Sequence, residues 1–191
     1  MKTPETTVNF TRMEDGTEEE YKLLDVLEKD FCNAAVNRVL EHLRCLENSF
    51  GGYKISRLDH SLQTATRAWR DGADEETVVV ALLHDIGDLL SPENHGEIAA
   101  AILKPFVSSK NHWILKYHGV FQGYFYFHHL GGDRHSRDQF KDHEHYQACV
   151  DFCANWDQAS FDPEYDTKTL AFFESMVRNI FSREPFGVHT R

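Results

Sequence analysis

The stretch Val78–Leu90 reads VVVALLHDIGDLL, a run that is apolar almost throughout yet carries a histidine and two aspartates. A helix built from it is hydrophobic on every face, so it belongs at the centre of a fold rather than on its surface. Asp74 supplies the N-cap and Glu75 and Glu76 suit the positive end of the helix, which is expected to run through to Leu90. His84 and Asp85 are therefore forced into an apolar interior, where an isolated charge is too costly to keep. Two arrangements satisfy them. His84 is a hydrogen-bonded core histidine beside a capping aspartate, or a neutral imidazole and an ionised carboxylate share a metal cation.

The rest of the chain supplies helices to pack around that centre. Glu18–Phe31 carries Tyr21, Leu24, Val26 and Leu27 at near-helical spacing, and Asn33–Leu46 carries Val36, Val39, Leu40 and Leu43. Gly51-Gly52 breaks the pattern before a helix from Ser56 with an apolar stripe of Leu58, Leu62, Ala65 and Trp69. Ser91-Pro92 restarts the chain towards a helix through Ile98 and Leu103 that Pro105 closes. Further helices are expected at Trp113–His129, His143–Trp156 and Thr167–Phe181, with Leu130–Arg137 as a loop. No segment alternates with period two, so the fold class is all-α. At 191 residues, 41% hydrophobic and 13% aromatic, the chain is expected to form a single domain, residues 1–191, with an N-terminal helical extension.

A net charge of −11 leaves no basic stripe for a nucleic-acid backbone, but a few arginines beside a metal can still hold a small anion. Met1–Phe10 has no apolar stretch of signal-peptide length, and no run of about 18 apolar residues occurs, so the expectation is a cytoplasmic protein that crosses no membrane. Cys32, Cys45, Cys149 and Cys153 lack CxxC spacing and are expected to stay reduced.

With His60 upstream of the His84-Asp85 doublet and Asp157 downstream, the chain resembles the HD superfamily of metalloproteins. His60 stands in RLDHSLQ and Asp157 in NWDQA, in the order that superfamily uses. Two more histidines, His95 in NHGEIAA and His118 in KYHG, fall where its dinuclear members place a second metal. The resemblance implies an HD-domain helical bundle with one ion on His60, His84, Asp85 and Asp157. The other ion would sit on His95 and His118, with Asp85 bridging and coordination positions left open. Asp88, a turn beyond His84, is the carboxylate expected to orient a ligand or bound water beside Asp85.

Most HD proteins are phosphohydrolases; a smaller branch uses an Fe(II)/Fe(III) pair and dioxygen. Imidazole and carboxylate donors suit iron, manganese or magnesium alike. Other segments are similar to the oxygenases of organophosphonate breakdown, the PhnZ and TmpB type: VNFT at residues 8–11, RLDHSLQ, HGVFQ at 118–122 and HHLGGDRH at 128–135. Among these, the chain looks most like the branch acting on a trimethylammonium substrate. The implied activity is oxidative C–P cleavage of (1-hydroxy-2-(trimethylammonio)ethyl)phosphonate to glycine betaine and phosphate, with two iron ions and dioxygen.

The chain departs from the primary-amine pattern of that group at two positions. Tyr53 stands where a glutamate would meet a primary ammonium, and an aromatic ring there suits a quaternary ammonium, which cannot donate hydrogen bonds. Phe50 stands where a tyrosine gates the oxygen site, leaving Tyr21 as a second candidate for that role. For the phosphonate, the loop after the His118 helix offers His129, Arg134 and Arg137, since guanidinium pairs with phosphonate oxygens bidentately. Each of these also has a plain alternative, a packed turn or a solvated loop. Two other functions stay open: a metal-dependent HD phosphohydrolase acting on a nucleotide or other phosphoester, and a regulatory domain that keeps the metal site without turnover. Residues alone do not set the oligomeric state.

Overall fold

Capping side chains set where the helices begin. In the computed structural model, which describes residues 7–49 and 51–190, every secondary-structure element is helical, as the absence of period-two segments predicts. The chain divides into two compact units, Met1–Val39 and Leu40–Arg191, with the boundary inside a helix.

In the first unit a 3₁₀ turn, Met13–Asp15, precedes helix α1, Glu18–Asn33. Thr17 and Glu20 form a reciprocal capping box: Glu20 N–H donates to Thr17 Oγ1 at 3.3 Å and Thr17 N–H to the Glu20 carboxylate at 2.9 Å. The Asn9 N–H adds a third bond to Glu20, at 2.7 Å. Tyr21 packs on Phe10 and donates its hydroxyl proton to the Met13 carbonyl. Helix α2, Ala35–Cys45, follows.

The second unit starts from the buried Leu40, Leu43 and Leu46. Helix α3, Arg57–Arg70, opens on another capping box, Ser56 with Asp59. Its buried surface is wider than the expected stripe: Ser61, Thr64 and Thr66 lie inside with Leu62 and Ala65, while Trp69 is partly exposed. Thr64 and Thr66 satisfy their hydroxyls on the His60 and Leu62 carbonyls. Helix α4, Glu75–Leu83, starts at the Asp74 cap and is buried from Thr77 onward. It packs chiefly on α3, and also on α6, Ser109–Tyr126, and α8, Leu170–Phe181.

Helix α4 ends at Leu83, short of the expected Leu90. Beyond it the chain winds through tight turns, with Ile86 N–H bonded to Leu83 O, Asp88 N–H to Asp85 O and Leu90 N–H to Gly87 O. A Cβ on Gly87 would lie 2.4 Å from the His95 carbonyl oxygen, so only glycine lets the start of helix α5, His95–Leu103, approach this turn. Gly96 does the same between α5 and α6, where a Cβ would meet the Leu115 carbonyl at 2.7 Å and the His118 ring at 3.2 Å.

Ser91-Pro92 leads into a 3₁₀ turn, Pro92–Asn94, before α5. Helix α7 begins at Tyr146, three residues later than expected, and after Phe152 it widens into a π-helical turn, Cys153–Asp157. Gln158 N–H reaches back five residues to the Cys153 carbonyl there. Cys149 and Cys153 are free thiols on α7 and this turn, and Cys32 and Cys45 are free as well. No described helix is long and apolar enough to cross a membrane.

Candidate metal centre

Four histidines and two aspartates converge in the second unit from five separate elements. His60 comes from the first turn of α3, His84 and Asp85 from the end of α4, His95 from the first residue of α5, His118 from the middle of α6, and Asp157 from the last residue of the π turn. All but His95 are buried, and His95 is three-quarters so.

Each imidazole is oriented by a backbone carbonyl. The Nδ1 of His60 lies 2.9 Å from Ser160 O, that of His84 2.8 Å from Ala81 O, that of His95 2.8 Å from Pro92 O, and that of His118 2.7 Å from Leu115 O. A carbonyl can only accept, so Nδ1 carries the proton in all four rings and a neutral ring turns an Nε2 lone pair inward. Those lone pairs face one another: His60 and His84 Nε2 are 3.1 Å apart, and His95 and His118 Nε2 are 3.2 Å apart.

The carboxylates complete two groups. Asp157 Oδ1 is 3.2 Å from His60 Nε2 and 3.6 Å from His84 Nε2. Asp85 divides its oxygens, with Oδ2 at 3.4 and 3.5 Å from the His60 and His84 nitrogens and Oδ1 at 3.4 and 3.3 Å from those of His95 and His118. Asp88 forms a further possible ligand set with Asp85 and His95, and its oxygens stand 3.0 Å from Arg57 Nε and 3.4 Å from His95 Nδ1.

The donor set fits divalent or trivalent cations. Bonds of about 2.1 Å place neighbouring ligands about 3.0 Å apart in an octahedron and about 3.4 Å apart in a tetrahedron; most of these nitrogens and oxygens stand in that range, and the His84 contacts to Asp85 and Asp157, at 3.5 and 3.6 Å, lie just beyond it. Without a metal, the His60–His84 contact at 3.1 Å requires a proton on one of the two Nε2 atoms, and Asp157 Oδ2 is buried with no hydrogen-bond partner. Electrostatics favour positive charge here, whether it is carried by a proton or by a metal ion. Burial alone would lower the His84 pKa, but the charges of Asp85 and Asp157 push it up to about 9. Burial would raise the carboxyls of Asp85 and Asp157, yet the surrounding histidines hold both below the usual carboxylate range. Asp88 is raised, by burial and then by the neighbouring charge of Asp85. These buried histidines and aspartates could hold metal ions.

A cavity of about 260 Å³ opens onto the cluster. Tyr53 lines it, with its ring 4.8 Å from Phe161, which in turn stacks on His60 at 4.4 Å. His129, Arg134 and Arg137 do not line it. Arg134 and Arg137 lie over Tyr124 at 4.2 and 3.8 Å, and the exposed His129 packs beside His128. Tyr21 belongs to the first unit, and Phe50 lies outside the described residues.

Arg57, Gln122, Tyr126, Gln158 and Phe161 line the cavity although sequence reasoning did not single them out. Helical periodicity could have found the first two, because Arg57 lies three residues before His60 and Gln122 four after His118, each on its ligand's face. Phe161 gave no such signal, since it follows the π turn in an irregular stretch. Compared with protein-family models and with curated proteins, the chain matches none.

Proposed function

We propose that this protein is a dinuclear metal enzyme of HD type that uses iron and dioxygen to cleave the C–P bond of (1-hydroxy-2-(trimethylammonio)ethyl)phosphonate, giving glycine betaine and phosphate. The observation that carries the dinuclear reading is Asp85, whose two oxygens face two separate histidine pairs. The choice of reaction rests on the sequence resemblance, and the cavity's lining supports it.

Bound in the two groups, an Fe(II)/Fe(III) pair would supply the redox chemistry of a four-electron oxidation, one dioxygen consumed for each phosphate released. The protein's own groups bind and orient. Arg57 alone among the lining residues carries a fixed positive charge, which suits it to the phosphonate in place of the loop arginines. Asp88, 3.0 Å from its Nε, steadies that guanidinium. On the aromatic side, Tyr53, Phe125 and Tyr126 offer apolar surface to a quaternary ammonium and exclude water around it, with Phe161 held between Tyr53 and His60. The carbonyls on the four Nδ1 atoms keep the rings from turning, so the Nε2 donors stay aligned.

Anaerobic reconstitution with iron, partial oxidation and low-temperature EPR should give the signal of a coupled Fe(II)/Fe(III) pair. Oxygen uptake and phosphate release should then appear in equal amounts with the hydroxyphosphonate. Turnover of a phosphoester with manganese or magnesium alone would instead make the chain an HD phosphohydrolase.

A further inference from the structure

Gln122 stands one helical turn beyond His118 and lines the cavity. Its Nε2 donates to Asp157 Oδ1 at 2.9 Å. A carboxylate facing two imidazole nitrogens can only accept, so the amide cannot turn over without setting oxygen against oxygen. The orientation is thereby fixed, and Oε1 becomes the atom left for a ligand. That oxygen is buried and has no hydrogen-bond partner in the protein, a costly state for an amide carbonyl unless a donor meets it.

From this we infer that Gln122 is a specificity-determining residue that accepts a hydrogen bond from a hydroxyl of the substrate, beside the His60–His84–Asp157 group. A phosphonate dianion has no proton to offer and is repelled by an amide oxygen. The inference therefore rests on the proposed phosphonate reading and adds a direction to it: the hydroxyl end of the substrate lies towards Gln122 and Asp157, and the phosphonate lies elsewhere, on the side of Arg57. A site that must satisfy a buried polar atom discriminates strongly against a ligand lacking the matching group.

Isothermal titration calorimetry of the iron-loaded protein without oxygen, where no turnover occurs, tests this with two probes: (1-hydroxy-2-(trimethylammonio)ethyl)phosphonate and its 1-deoxy analogue. The unaltered protein should prefer the hydroxy compound. Gln122→Met, similar in length but without the acceptor, should lose about tenfold of that preference while its affinity for the deoxy compound holds. Gln122→Glu, whose protonated carboxyl can donate to Asp157 and still present an oxygen, should retain the preference. A Met variant with the full preference overturns the inference, and so does one that has lost its metal, since Gln122 would then be only a support for Asp157. Equal binding of both probes by the unaltered protein also overturns it but leaves the phosphonate reading standing. Binding of neither removes that reading and the inference with it.

Discussion

In the proposed reaction, the Tyr53 ring would separate two substrate classes. A trimethylammonium group against this half-exposed ring gains roughly 0.5–1 kcal/mol, whereas a primary ammonium there also gives up hydrogen bonds to water that a ring face cannot replace. Both effects favour the methylated substrate, so a preference in kcat/KM of at least about tenfold over the primary-amine hydroxyphosphonate is expected. Tyr53→Glu, which supplies an acceptor, should remove much of it. Equal use of both substrates by the unaltered protein would sink the assignment of Tyr53 and leave the candidate metal centre untouched. The ring is half exposed at one end and packed on Phe161 at the other, so the change alters the cavity wall rather than the core. At this scale the ligand candidates were legible because a histidine and an aspartate stood in an apolar run that could not otherwise tolerate them. The loop arginines were not, because composition does not tell which way an irregular segment turns. Tyr124 takes both guanidiniums, an outcome set by packing that no spacing encodes.

Element ends, more than element identities, build the site. The sequence pattern runs on to Leu90, but α4 stops at Leu83 and its successor turns, opened by Gly87, swing Asp85 and Asp88 towards His95. Hydrophobic periodicity could not reveal this, since His84, Asp85, Ile86 and Gly87 are as buried as the helix before them, and only Leu89 and Leu90 emerge from the interior. The π turn likewise sets Asp157 and is invisible to a 3.6-residue period. The position of α4 against its neighbours depends on Glu76, which accepts from Ser108 N–H and Asn111 Nδ2, each at 2.8 Å, and from the Arg183 guanidinium. Burial works to raise this carboxyl, but Arg183, Ser108 and Asn111 together lower it below its ordinary 4.5. A lowered folded-state pKa means that its contribution is complete above about pH 4.5 and is lost as the pH falls through the folded value. Glu76→Gln should therefore cost about 1–3 kcal/mol at pH 7 and progressively less as acid neutralises the native carboxylate. Denaturant unfolding of the two proteins from pH 7 to pH 3 measures this, and a gap that stays constant with pH would contradict it.

Across the whole molecule, six donors from α3, the end of α4, α5, α6 and the π turn meet in a region that no single element could form. An all-helical chain was legible from its periodicities, and the second unit packs those helices around the buried α4. The division of the chain at Val39 was not legible, because α2 carries its apolar spacing across the boundary without a break. Asp85 is the residue on which the arrangement turns, as the carboxylate that faces both histidine pairs. Metal analysis of purified protein is the direct measurement. The unaltered chain should hold two ions, His118→Ala should lose the His95-side ion preferentially, and Asp85→Ala should lose both; two ions retained in Asp85→Ala would contradict the dinuclear account.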